Sequence, residues 1–238
     1  MKKLIAIPLL CGLLLGCDNK AELLQFEAAS KDALSAPDPF LALDKFDEKA
    51  GDYGKNCGGF FGELLSDISS NQRAACEKRL AMQIKIVVAS VDKGSLPAFL
   101  FLLNEGPKYP PVYLNDLPVN YAHRQRARLF ELAWSLPPAK ENAELFRRAA
   151  EDLQTGNNVM QDSTAAIALY KKAWQAGDES AADNLSDVYA FLGDTPRAYF
   201  WKIRAHSLPE YTKDVNKLTP EEKIIIQRKA ADATRTDI

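Results

Sequence analysis

Glycines and alanines recur at matched spacing along this 238-residue chain, and that recurrence limits its fold more than any other feature. In Ala173-Trp174-Gln175-Ala176-Gly177-Asp178-Glu179-Ser180-Ala181 an Ala-rich segment meets a Gly. Three residues intervene before Ala181 opens a second segment, with Leu185 and Tyr189 one turn apart. Gly suits the left-handed residue that often closes a helix. Ala suits a close helix crossing, where only small side chains fit. Upstream, Gly94, Ala98 and Leu102 precede Gly177, Ala181 and Leu185 by the same 83 positions. Halving that spacing predicts a unit in between. Ala133-Trp134 lies there, 40 positions before Ala173-Trp174, with Ser135-Leu136-Pro137-Pro138 as its turn. Downstream, Ala166, Leu169 and Ala173 are matched by Ala198, Trp201 and Ala205 at an offset of 32. Periods of this length mark stacked supersecondary units.

These residues resemble Sel1-like repeats, relatives of the tetratricopeptide family. Asn158-Val159-Met160-Gln161-Asp162, with Ala166 and Tyr170-Lys171-Lys172-Ala173, is similar to the connector and second helix of that pattern. The resemblance is good over 144–207, fainter over 85–134 and absent before about residue 80; Pro196, after a shortened connector, departs from it. It implies an all-α fold, a solenoid of helical hairpins with an N-terminal helical cap.

The start of the chain speaks to compartment. Lys2 and Lys3 precede an apolar run over 4–15 and then Leu14-Leu15-Gly16-Cys17. The run is shorter than the roughly 20 residues that span a bilayer as a helix, and its flanks suit a signal peptide. The pattern resembles a bacterial lipobox, which implies acylation of Cys17, removal of residues 1–16 and a lipid-tethered protein in the cell envelope. Asp18 resembles the enterobacterial signal for inner-membrane retention, with the outer membrane as the alternative. Residues 1–16 carry two lysines and no acid, so the formal charge falls from −2 to −4 on their removal. A mildly acidic chain is a poor partner for nucleic acid. Cys57 and Cys76 would remain, and in an oxidising compartment a lone pair forms a disulfide. Closing that loop of about 20 residues stabilises by roughly 3 kcal/mol. Zinc is the competing reading, but two cysteines with no nearby His make a poor site.

The remaining organisation reads as a tether over 17–22, an N-terminal helical region with the disulfide over 23–80, repeats over 81–210, and a capping helix with a tail over 211–238. Helices are expected over 21–34, 40–50, 60–68 and 72–91, separated by Ser35-Ala36-Pro37-Asp38-Pro39 and a Gly-rich turn over 51–59. The segment Ile84 to Val88 is β-branched but reads as buried helix because no turn signal bounds it. Lys108 to Asn120, with three Pro, reads as an irregular loop. Thr219-Pro220-Glu221-Glu222 predicts a capping box with Pro at the first helical position.

Catalytic chemistry is scarce. His123 and His206 stand alone, and no Ser elbow, phosphate loop or dinucleotide fingerprint occurs. Gly58-Gly59-Phe60-Phe61-Gly62 lacks a preceding strand. Asp47-Glu48 and Glu151-Asp152 are neighbours that a helix points apart. No enzyme activity, metal or cofactor is expected. Trp134, Tyr170, Trp174, Tyr189, Tyr199 and Trp201 fit core positions between repeats or a concave binding face, since aromatics anchor interfaces. Candidate contact residues for a protein partner are Tyr109, Tyr113 and Tyr121 around the Pro-rich loop, with Trp174 and Trp201. Lipoproteins of this size with Sel1-like units resemble periplasmic immunity proteins that neutralise phospholipase effectors of type VI secretion systems. The alternative is a scaffold for envelope assembly or peptidoglycan enzymes.

Overall fold

A computed structural model describes residues 15–55, 70–212, 214–232 and 234–238. Among them are ten α-helices and no strand, so the chain is all-α. It divides into two compact units, Met1–Pro118 and Val119–Ile238.

The first unit holds α1 (Leu15–Ser35), α2 (Leu43–Lys49), α3 (Ser70–Asp92) and α4 (Leu96–Leu103). Phe26, Ala29 and Ala33 lie at helical spacing on one face of α1 and pack with Leu43, Phe46, Ala50 and Ile86. The Phe26 and Phe46 rings meet edge to face at 5.8 Å. Arg79 of α3 is only 3% exposed, and it gathers the end of α2 and the turn beyond it. Its guanidinium donates to the carbonyls of Gly51 (3.0 Å), Tyr53 (2.9 Å) and Asp47 (3.1 Å), and to Asp47 Oδ1 (2.9 Å). Lys93 Nζ donates to the carbonyls of Leu34 and Ala36, at the end of α1. Ser95 caps α4 and donates to Asp38 Oδ2 at 2.6 Å, joining the 35–39 breaker to the α3–α4 turn.

The second unit holds α5 (Val119–Ser135), α6 (Ala143–Thr155), α7 (Ser163–Gln175), α8 (Ser180–Phe191), α9 (Thr195–Arg204) and α10 (Pro220–Ala231). Each packs against the next. Ala149, Ala150, Ala166, Ala173, Ala181, Ala182 and Ala198 are buried at these crossings. Ser186 of α8 donates to Ala198 O of α9 at 2.9 Å, a contact that a bulky side chain would prevent. Lys202, late in α9, meets Asp183, early in α8, at 2.8 Å, so the two run antiparallel.

The glycine spacing has a geometric cause. Gly94 and Gly177 adopt φ of 92° and 93°. Each closes its helix through the same pair of bonds: Gly94 N to Val91 O with Ser95 N to Ser90 O, and Gly177 N to Trp174 O with Asp178 N to Ala173 O. These are Schellman bonds. Gly193 after α8 repeats them, and His206 after α9 does so at φ 53° without being a glycine.

Several expectations need revision. Helix α1 takes in Leu15–Ser35, so the backbone over 17–22 is helical. Helix α3 crosses position 80 unbroken, and the compact units divide at 118/119. The Gly94 hairpin belongs to the first unit and the others to the second. The 40–50 helix is shortened to α2, because Asp38 holds the Phe40 amide in a turn first. The Pro-rich loop ends two residues early, where α5 starts at Val119, and contains one 3-10 turn, Leu114–Asp116. Residues 1–14, Cys57, the Gly58–Gly62 run and the 60–68 helix lie outside the described residues. The capping box at Thr219 and Glu222 is present in full, and Ile86 and Val87 are buried on helix as expected.

Left-handed backbone costs a side-chain-bearing residue roughly 1–2 kcal/mol. A Cβ at Gly177 would meet nothing within 4 Å, so Gly177→Ala probes that cost alone. Urea denaturation should show Gly177→Ala less stable by about 1 kcal/mol and exposed His206→Gly more stable by a similar amount.

Candidate recognition surface

In the first unit the Pro-rich loop is built around Lys108. Helix α4 ends at Leu103 and leaves its last carbonyls unsatisfied. Lys108 Nζ turns back to donate to Phe101 O (2.8 Å), Leu102 O (3.4 Å) and Asn104 O (2.5 Å). The same ammonium lies 4.8 Å from the Phe101 ring and 4.7 Å from the half-buried Tyr113 ring. Cation–π attraction and main-chain capping thus act on one group. Tyr109 follows directly. Its hydroxyl accepts from Gln83 Nε2 at 3.3 Å, while the residue stays 66% exposed. Below it lies a cleft of about 480 Å³ lined by Arg73, Leu80, Gln83, Lys108, Tyr109 and Pro111. Cys76 also borders this cleft.

The second unit distributes its aromatics differently from the expected face. Trp201 is fully buried, 5.6 Å edge to face from Trp174 and 5.3 Å from Phe200, so its candidacy as a contact residue is corrected to core. The 32-residue offset aligns it with Leu169, another buried position, which explains the outcome. Tyr170, Tyr189 and Tyr199 are buried as well. Trp174 is half-buried, with one face on the Arg204 guanidinium at 5.6 Å. Tyr121 is half-buried beside Arg124 at 5.6 Å. Trp134 is 50% exposed, at the end of α5. Phe191 (71%) and Leu192 are exposed next to Gly193, and sequence reasoning missed them. Their signal was an apolar pair placed where the core periodicity of α8 had already ended.

Charge is placed with equal economy. Lys172 of α7 donates to Ala133 O and Leu136 O, both at 2.7 Å, and lies 4.6 Å from the Phe146 ring. Desolvation holds its ammonium below the ordinary lysine range. Burial raises Tyr170, whose hydroxyl donates to Gln154 Oε1 at 2.6 Å. Desolvation also lowers Arg204, which donates to Asp232 O. Burial pushes Asp237 upward, but hydrogen bonds from Lys171 and Arg197 outweigh it and keep the carboxyl below the usual range. His123 and His206 are both exposed, and among the described residues no group of His, Cys, Asp or Glu is arranged to hold a metal. No described helix is long and apolar enough to cross a membrane.

Hydrogen bonds to a charged group contribute about 1.5–3 kcal/mol. Lys108→Met should lower stability by about 2 kcal/mol. Amide hydrogen exchange should then rise across 109–118 more than at the centre of α3; uniform change would show that Lys108 does not order the loop. The chain matches no protein-family model, no curated protein and no solved structure.

Proposed function

We propose that this chain is a lipid-anchored protein-binding module of the bacterial envelope, and most concretely an immunity protein that binds and blocks a secreted phospholipase toxin. The reading joins three strands. Cys17, in its lipobox-like setting, would carry the anchor and hold the protein where a lipase acts. The hairpins of the second unit would form a Sel1-like solenoid, a construction suited to gripping another protein. Cys57 would pair with Cys76 and brace the wall of the cleft beneath Tyr109.

The observation that carries the reading is Tyr109. Its ring stands 66% exposed above a cleft, on a loop that Lys108 ties to the end of α4. Exposed aromatics over pockets are favoured interface anchors. One already ordered in the free protein costs less to bind. Formal charge −4 after processing would speed association with a basic toxin.

Two experiments test this. Cys17→Ser should move the protein from the membrane fraction to the soluble envelope fraction; retention in the membrane would exclude the lipid anchor. Envelope capture with the wild-type chain, in cells co-expressing the neighbouring genes, should recover a phospholipase toxin and protect cells from it. Tyr109→Ala should weaken that complex about 30-fold, the size of a 2 kcal/mol anchor. Recovery of peptidoglycan enzymes instead would establish the scaffold reading.

A further inference from the structure

The last residues of the chain leave α10 and return to the second unit. Arg204 fixes the base of this tail by donating to Asp232 O. Five positions on, Asp237 sits between α7 and α9. Its Oδ2 lies 2.8 Å from Lys171 Nζ, and its Oδ1 lies 2.7 Å from Arg197 Nε. Tyr189 of α8 stands by both cations, its ring 6.0 Å from Lys171 Nζ and 5.8 Å from the Arg197 guanidinium. Three successive helices therefore contribute one group each.

Arg197 is oriented before the tail arrives. Asp194, the N-cap of α9, takes the Arg197 amide (3.1 Å) and its Nη1 (2.6 Å), which leaves Nε for an incoming oxygen. Two cations against this one acid give the notch a net charge of +1, and a single carboxylate neutralises it. Thr234 and Arg235 are exposed, and the residues from Thr236 to Ile238 are only half-buried. Both pairs are partly exposed, and such pairs are screened by salt.

We propose that Lys171, Arg197 and Tyr189 form a carboxylate-recognition notch that the chain's own tail closes through Asp237, and that an acidic segment of a bound protein enters it when the tail lifts. The notch goes beyond the immunity reading and does not depend on it. The resident Asp237 identifies the chemistry of the ligand.

The test reads Lys171 accessibility in the purified full-length chain, as its rate of acetylation by an amine-reactive reagent against exposed Lys140. The probe is a C-terminally amidated peptide with the sequence of residues 232–238. Asp237→Ala should raise Lys171 labelling several-fold over wild type, and the peptide should restore protection in the variant. A peptide with Asn in place of Asp237 should not. Equal labelling of Lys171 in wild type and variant would overturn the proposal. So would failure of the peptide to protect, or equal protection by the Asn peptide. Restored protection also shows that the variant remains folded.

Discussion

Every α-helix ends in carbonyls that its own backbone leaves unbonded, and a chain of short helices meets this demand many times over. Here the answers fall into two classes. Helices α3, α7, α8 and α9 close with a left-handed residue at 94, 177, 193 or 206, and α6 closes with Gly156 at φ 74°. The other five borrow a cation from elsewhere in the same compact unit, α2 in addition to the left-handed Gly51 (φ 62°) that follows it. Lys93 serves α1, Arg79 serves α2, Lys108 serves α4, Lys172 serves α5 and Arg204 serves α10. Four of these cations also lie over aromatic rings, on Phe46, Phe101, Phe146 and Trp174 respectively. The carbonyls supply the negative pole, and the ring covers a side of the cation that water would otherwise occupy.

This division explains what the sequence disclosed. A left-handed closure leaves a glycine in a fixed place, so Gly94 and Gly177 stand out at matched positions. A borrowed cation leaves no local mark. At Ser135-Leu136-Pro137-Pro138 the repeat looks degraded because no glycine is present. The end of α5 is nonetheless satisfied, by Lys172 from more than 30 residues away. His206 is invisible for the opposite reason: it performs a glycine's task at a residue that gives no turn signal. A like case is position 80, which lies within α3. The hairpin grammar begins near there, but α1, α2 and α3 share one core through Phe26, Phe46 and Ile86, and only packing reveals that.

The aromatic residues were harder to sort, because an anchor and a core residue share the same chemistry. Trp201 and Trp174 are both Trp on repeat helices, yet one is wholly enclosed while the other closes its face with Arg204. Helical phase separates them only when the neighbouring helices are known. Tyr109 was legible because it lies in a segment rich in Pro, where backbone pairing is limited and side chains reach solvent. The Tyr189 notch was not legible at all. It needs Lys171, Arg197 and Asp237, which are far apart in sequence and meet only through the order α7, α8, α9 and tail.

Helix closure and loop order coincide at Lys108. Its bonds to Phe101 O and Asn104 O close α4, and the next residue in the chain is the exposed Tyr109. A cap that merely finished the helix would have been served as well by a glycine, as at α3. A lysine also draws Phe101 and Tyr113 onto one ammonium, so the segment carrying Tyr109 is ordered by the folding of the unit itself. Conformational entropy lost on folding is not lost again on binding. A partner that meets Tyr109 would thus find a rim already set, and the physical reason lies in the unpaired carbonyls of the preceding helix.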